Sequence, residues 1–260
     1  MKPSTERALR IVLPISSVVL LLAIWSVYVR TAEVSALVLP PPEAIVRAFI
    51  KLLGDPKVWH HAWVTVIETM TGFVLAVVSG VLLGTLMAKV RVIEWALNPM
   101  VIALQVVPKI ALAPLFILWF GFGLESKIVI SLVIAFFPVF ANTHIAMKSV
   151  DPGDREVFES MRASPLKTFL LLEMPSALPV VLTGMEVAIV LAIIGAVVGE
   201  FIGGNEGLGY LTVVKLQQLD VAQLFGVVLL LTLIGLAMYM MVVGLRRLLV
   251  PWHHATGAPL

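Results

Sequence analysis

Five ionisable side chains interrupt otherwise apolar stretches of this chain: Glu68, Lys109, His144, Glu186 and Glu200, with Gln105 and Asn142 as neutral polar companions. An ionisable group in such a stretch is costly, and it faces a pathway or a partner. Gln105 and Lys109 are four residues apart and share a helix face. Lys109 would either attract an anionic solute or neutralise a buried carboxylate such as Glu68. Glu200 stands beside the Gly203-Gly204-Asn205 turn, where a gate or a contact with an outside partner fits. His144 reads as a packing or interface histidine. No His/Asp/Glu cluster has metal-ligand spacing, and no nucleophile-elbow or zinc-protease motif occurs. The phosphate loop G-x-x-x-x-G-K-[ST] is also missing, so the chain cannot hydrolyse ATP by that route.

A second concentration of chemistry is the charged island at residues 151–178, DPGDREVFESMRASPLKTFLLLEMPSAL. Eight of its 28 residues are ionic, whereas the apolar run after it contains only Glu186. Asp151-Pro152 reads as an N-cap followed by proline at the first helical position, with Asp154 and Glu156 in the favoured first turn. Ser164-Pro165 repeats the signal, which predicts two short helices with a turn at Arg162-Ala163. Met174-Pro175 and Leu178-Pro179 are expected to end the second one. Such a broken helix either seats in a cleft of a soluble partner or is a solvated loop.

The elements that hold these residues are dictated by hydropathy. The chain has 260 residues, 60% hydrophobic and 13% charged, with mean hydropathy +1.05. Soluble domains run near ~25% charged, so the class is an all-α polytopic membrane protein. A β-barrel would alternate in segments of ~10 residues, whereas these runs are continuous and long enough for a helix to cross. The net charge of +2 gives no reason to expect nucleic acid, and without cysteine there is neither a disulfide framework nor thiolate chemistry.

Six spans are predicted, at about residues 11–29, 62–88, 99–120, 128–147, 180–198 and 224–243, in one transmembrane domain covering 1–260. The first is longer than the apolar region of a signal peptide and is read as a retained span. The N-terminus, the second-to-third connector, the long fourth-to-fifth loop from Lys148 through the island, and the C-terminus together hold 11 of the 18 lysines and arginines. The positive-inside rule then places both termini and the island in the cytoplasm.

Gly72, Ala76, Gly80, Gly84 and Ala88 in span two recur every four residues, as do Gly184, Ala188, Ala192 and Ala196 in span five. Small residues on one face let a neighbouring backbone come close. Packing within the chain is the first expectation for these stripes and a subunit interface the second. Six spans look too few to enclose a pore with every stripe satisfied, which points to a homodimer around one central pathway. Pro108 and Pro114, Pro138 and Pro179 are expected to kink their helices. Ahead of span two, Pro40-Pro41-Pro42 leads into EAIVRAFIKLL, with Ile45, Phe49, Leu52 and Leu53 on one face. That helix either lies on the membrane surface or braces the bundle.

The island resembles the cytoplasmic "EAA" loop of permease subunits of binding-protein-dependent ABC importers. The matching residues are Glu156-Val157-Phe158, Glu159-Ser160-Met161 and Arg162-Ala163-Ser164, with Leu178-Pro179 downstream. Two positions depart from the family pattern: Val157-Phe158 replaces a pair of small residues, and Arg162 replaces the turn glycine. If Arg162 adopts positive φ, the cost is roughly 1 kcal/mol. Residues 107–128 (VPKIALAPLFILWFGFGLESKI), 136–143 (FFPVFANT), 195–211 (GAVVGEFIGGNEGLGYL) and the terminal Pro251-Trp252-His253 are similar to the nitrate, taurine and alkanesulfonate branch. The GAVVGEF wording is closest to members associated with pyrimidine precursors or riboflavin.

The resemblance implies a type I importer permease in a bacterial inner membrane, surrounded by lipid and working with a second copy of itself. It also implies a cytoplasmic ATP-binding subunit dimer, which carries ATP and Mg, and an extracytoplasmic solute-binding protein. No cofactor is expected in this chain. By the same resemblance Glu156, Val157, Phe158, Glu159, Arg162, Ala163, Ser164 and Pro165 form the ATPase contact. Gln105, Lys109, Asn142, Glu186 and Glu200 are the polar groups available to a pathway lined by spans three to five. One span face supplies two of them at most, so no tight solute site is expected here. The alternative is an ion-driven secondary transporter with Glu68, Lys109 and Glu186 as its relay. The inverted repeats that mark such carriers are not evident, and an intramembrane enzyme lacks a catalytic constellation.

Overall fold

A computed structural model describes residues 3–251, with the backbone alone for residues 3–11 and 15. Lys2, Trp252 and His253 lie outside the described residues, or outside their side chains' description, together with Arg7 and Arg10. Among the described residues all regular structure is helical: α1 (Pro3–Thr31), α2 (Pro42–Leu53), α3 (Pro56–Lys89), α4 (Arg91–Val106), a 3₁₀ turn (Lys109–Leu112), α5 (Ala113–Phe120) and α6 (Leu124–Lys148). Then come α7 (Pro152–Ser160), α8 (Pro165–Thr168), a π turn (Phe169–Glu173), α9 (Met174–Gly203), α10 (Leu208–Gln217) and α11 (Val221–Leu249).

Five continuous helical segments are long and apolar enough to cross a membrane: Val12–Thr31, Pro56–Lys89, Leu124–Lys148, Pro165–Gly203 and Val221–Leu249. The sixth is a broken pair. Instead of one helix over 99–120, α4 and the segment Lys109–Phe120 meet at 87°. Pro108 explains the break. It has no amide to donate, and it forces Val107 into extended backbone, φ −61° and ψ 129°. Pro114 falls in the first turn of α5, where no donor is required.

The other prolines behave differently from expectation. Pro138 lies inside an unbroken α6, where the Asn142 side-chain amide donates to its carbonyl at 2.8 Å. Pro175 and Pro179 do not end a helix. The π turn lies directly before them, the Met174 amide reaches the Phe169 carbonyl, and α9 continues through both. Its wider turn gives the proline ring room that a regular α turn lacks. The helix expected over 180–198 is therefore part of an unbroken stretch from Pro165 to Gly203.

The chain forms two compact units. One holds residues up to His60 and Leu211–Leu231; the other holds His61–Tyr210 and the chain from Thr232 on. In the first, α2 buries Ile45 and Leu52, while Leu53 is exposed. Leu52 and Phe49 close over Gly226, where a Cβ would come 2.7 Å from Leu52 Cδ1. Arg30 of α1 donates to Glu43 at 2.6 Å, and the Ser26 hydroxyl donates to the same oxygen at 3.1 Å. These contacts make α2 a brace between α1 and the start of α11.

In the second unit α6 receives both small-residue stripes. A Cβ on Gly72 would meet Ser131, and one on Gly80 or Gly84 would meet Val139, Phe140 and Thr143. From α9, Gly184 abuts Asn142, Gly195 abuts the Ser131 backbone and Gly199 abuts Lys127. Ala76, Ala135, Val139, Ala188, Ile189 and Ala192 are fully buried between them. Close backbone approach supplies the van der Waals contact that drives helix association in lipid. Both stripes are satisfied inside one chain, so they give no argument for a subunit interface. Apolar side chains such as Leu21, Leu82 and Leu118 point outward, as contact with lipid requires.

Candidate coupling loop and polar sites

The island forms both predicted caps. The Asp151 carboxylate accepts from the Gly153 amide at 2.7 Å, and the Ser164 hydroxyl oxygen accepts from the Lys167 amide at 3.4 Å. Between them Arg162 has φ 53°. The Arg162 amide donates to the Glu159 carbonyl at 2.8 Å, and the Ala163 amide donates to the Phe158 carbonyl at 3.0 Å. That crossed pair is a Schellman ending, whose left-handed position favours glycine. Arg162 occupies it.

The turn is anchored from beneath. Buried Glu173 pairs with Lys89 at the end of α3 and lies 3.4 Å from Arg155 of α7. Arg155 also donates to the Met147 carbonyl of α6 at 2.9 Å, and Lys89 stands 5.0 Å over the Phe169 ring. Nearby, Glu94 of α4 pairs with Lys148 and lies 3.4 Å from His144, which stacks on Phe140. The outer surface is different in kind. Val157, Met161, Leu166 and Leu171 are more than half exposed beside the exposed Glu156 and Glu159. This apolar surface stands on a charged base that ties it to three long helices.

At the opposite ends of α3, α6 and α9 lies a second cluster. Glu200 accepts from the Thr65 hydroxyl at 2.6 Å and from the Gly209 amide, and Thr65 in turn accepts from the Leu208 amide at 2.8 Å. Gly207 has φ +100°, and any side chain there would strike the Glu200 carboxylate. Its amide donates to His61 Nδ1 at 3.1 Å. Lys127 donates to the carbonyls of Phe122, Gly123 (2.8 Å) and Gly203 (3.0 Å). Buried Glu68 shares a cavity of about 260 Å³ with Lys127, and its Oε2 has no hydrogen-bond partner. The cluster fixes the turn after α9 to α3 and α6.

A third feature is the bend at Pro108. It opens a cavity of about 340 Å³ walled by Pro108, Ile110, Ile134, Phe137, Pro138 and Leu191, with Lys109 as its single charged group. Lys109 Nζ lies 4.3 Å from the Phe137 ring centroid and donates to the Gln105 carbonyl at 3.1 Å.

The polar residues singled out in the sequence are thus dispersed. Glu200 is in the Thr65 cluster, Glu186 pairs with Arg246 of α11 at 3.1 Å, and Asn142 bonds within α6. Gln105 lies near the end of α4 and Lys109 opens the 3₁₀ turn beyond the Pro108 break, so the continuous helix face expected for them is interrupted, and the Lys109 bond to the Gln105 carbonyl is what joins them. Glu68 shares its cavity with Lys127 and not with Lys109. Lys127 stands one residue before the fourth predicted span, outside the apolar runs, and so is absent from the ionisable groups singled out in the sequence. Glu94 falls in the second-to-third connector and Arg155 and Glu173 among the eight ionic residues of the island, and their pairing with one another and with Lys89 and Lys148 is visible only in the structure.

Comparison with known proteins agrees with this architecture. Residues 76–253 match the family of binding-protein-dependent transport system inner membrane components. The chain is 37% identical to the formylaminopyrimidine transport permease protein ThiX of Halalkalibacterium halodurans over 90% of its own length and 92% of the relative's. It is also 37% identical to the riboflavin transport system permease protein RibX of Chloroflexus aurantiacus, covering 92% and 89%. It is 26% identical to the taurine transport system permease protein TauC of Escherichia coli, covering 94% and 90%. Its fold is similar to a chain of the MetNI methionine ABC transporter, with TM-score 0.66 and 19% identity over 75% of this chain and 99% of the other. This chain belongs to the inner-membrane components of binding-protein-dependent transport systems and is the transmembrane subunit of an ATP-driven importer.

Proposed function

We propose that two copies of this chain form the membrane pathway of an importer whose ATP and Mg are held by two cytoplasmic ATP-binding subunits. Solute arrives from an extracytoplasmic binding protein. The island, both termini and the Glu94–Lys148 end face the cytoplasm of a bacterial inner membrane, by the distribution of lysine and arginine. The observation that carries the docking reading is the exposed surface of Val157, Met161 and Leu166 on a base of Glu173, Lys89 and Arg155. Exposed apolar side chains give a partner something to bury. The base gives movement of the island a direct route into α3, α6 and α9. Glu156, Val157, Phe158, Glu159, Arg162, Ala163, Ser164 and Pro165 form the contact.

The solute is a small organic or anionic molecule. Support comes from the names of the relatives, which include formylaminopyrimidine, riboflavin, taurine and aliphatic sulfonates. High-affinity selection rests with the binding protein, and this chain mainly gates.

The docking reading is tested by Glu156→Lys and Ala163→Trp in the reconstituted complex. Both should sever binding-protein-stimulated ATP hydrolysis from transport while the chain still folds. Normal transport and stimulation in both variants would refute the assignment. Solute uptake by the purified chain, driven by an ion gradient without any ATPase, would replace the importer reading with a secondary transporter.

A further inference from the structure

We propose that the cavity at the bend between α4 and α5 is a transit subsite for a small organic anion, with the Lys109 ammonium as its charged anchor. The inference rests on the importer reading and adds the place in the fold where an acidic solute is held.

The argument begins with charge matching. In the unit that holds the cavity, Lys127 has three carbonyls, Lys89 has Glu173, Lys148 has Glu94 and Arg246 has Glu186. Among the described residues Lys109 forms no ion pair and lacks the three carbonyls of Lys127, and its partners are one backbone carbonyl and the face of Phe137. An ammonium carries three donors, so hydrogen-bonding capacity remains after the Gln105 carbonyl is served. A cation in apolar surroundings at membrane depth is held at a cost unless something neutralises it. A mobile anion would meet that demand, and among the described residues no carboxylate pairs with Lys109.

Geometry sets the size and shape of the guest. A volume of about 340 Å³ lies near the lower limit of small-molecule pockets, which run from about 300 to 1,000 Å³. It suits a compact organic molecule and excludes a peptide. Its walls are Ile110, Ile134 and Leu191, two prolines and an aromatic face, and these accept a hydrocarbon or flat ring body. The one charged group orients the acid end. A site with a single anchor binds loosely, and passage through a transporter requires loose binding.

Position supplies the link to movement. Lys109 begins the 3₁₀ turn that follows the Pro108 break, so it sits at the joint between two segments meeting at 87°. Any change in that angle would carry the ammonium toward or away from Phe137 on α6. The subsite would then be assembled in one conformation and dispersed in another.

The test uses the permease–ATPase complex in nanodiscs without the binding protein. Two probes of nearly equal size are followed by fluorine NMR: 4-fluorobenzenesulfonate and the neutral 4-fluorobenzenesulfonamide. The wild-type complex should bind the sulfonate about tenfold more tightly than the sulfonamide. Lys109→Gln should abolish that preference while leaving the sulfonamide affinity unchanged, and Lys109→Arg should restore it. Equal affinity for both probes in the wild type, or a preference that survives Lys109→Gln, would overturn the proposal. So would failure of the sulfonate to bind the wild type at about 10 mM. Thermal unfolding of each variant checks that it folds. The importer reading is checked separately, through stimulation of wild-type ATP hydrolysis by the loaded binding protein. Its failure would leave the probe result intact, and intact stimulation with no probe preference would remove only the subsite.

Discussion

Thr65 stands between the Glu200 carboxylate and the Leu208 amide, donating to the first at 2.6 Å and accepting from the second at 2.8 Å. The two bonds join α3 to the end of α9 and the start of α10 across a fully buried position. Thr65→Val keeps the shape and removes both bonds. Losing two buried hydrogen bonds, one of them to a carboxylate, should cost about 1–3 kcal/mol in total. Thr65→Ser should recover most of that. Thermal unfolding of the purified complex in detergent decides the matter, and equal melting of valine and serine variants would contradict it.

Arg162 carries φ 53° at the end of α7. Glycine at that position should stabilise the turn by about 1 kcal/mol, because the left-handed conformation costs an L-residue roughly that much. Val in its place should destabilise it, since β-branching makes the same conformation worse. Comparative melting of Arg162→Gly and Arg162→Val checks the sign. A glycine variant less stable than the wild type would mean that the arginine side chain has a compensating contact.

Gly195 and Gly244 offer a matched comparison. A Cβ on Gly195 would lie 2.7 Å from Ser131 Cα, whereas one on Gly244 meets nothing within 4 Å. A backbone atom cannot swing aside, so Gly195→Ala should separate α9 from α6 and cost about 1–3 kcal/mol. Gly244→Ala should be neutral or slightly stabilising. Yield of monodisperse protein and melting temperature both report the difference. Equal behaviour of the two would refute the tight α6–α9 contact.

Glu173 gathers Lys89 and Arg155. Glu173→Ala should leave two cations side by side at the base of the island and weaken the joint between α7 and α3. The expected result is a complex that still binds its ATPase but loses most binding-protein-stimulated hydrolysis. Glu173→Asp should retain part of it. ATPase pull-down and hydrolysis rate, measured together, separate loss of coupling from loss of docking.

Glu43 connects α2 to α1. Hydrogen bonds from its own backbone and from Ser26, with the Arg30 charge beside them, hold its carboxyl below the usual carboxylate value of 4.5. A lowered folded value stabilises the tie above the unfolded value, and that contribution is lost as pH falls through the folded one. The tie should be intact at neutral pH and should loosen in acid below about 4.5. The chain has no cysteine, so a spin label at Ile50→Cys reports the motion of α2 cleanly. Its mobility should rise in acid for the parent and be high at every pH with Glu43→Gln. An unchanged spectrum in acid would sink the idea.

Local chemistry was legible in the sequence. Long apolar runs must become helices in lipid, because each backbone group needs a partner within its own segment. Asp151-Pro152 and Ser164-Pro165 fix helix starts through bonds to residues two or three positions away, whereas the left-handed backbone at Arg162 entered only as a condition suggested by the family's turn glycine, and the structure shows it. The four-residue stripes announced close helix contact. Pro108 signalled a kink, but only the chain's path showed a bend of 87°, since proline removes one bond without fixing the angle that neighbours then set. Pro175 and Pro179 were misleading too: a π turn lies over the carbonyl that the Pro175 ring would strike, and α9 continues through Pro179.

Partnership was decided by tertiary structure. The sequence left Lys109 between an anionic solute and Glu68; the fold put Lys127 in the Glu68 cavity and left Lys109 with a ring and a carbonyl. Thr65 and Glu200 are 135 positions apart, and Lys127 and Gly203 are 76 apart. Hydropathy fixes which segments become helices, but a charge is satisfied only by groups within a few ångströms. Which groups come that close depends on where the glycines let three helices meet.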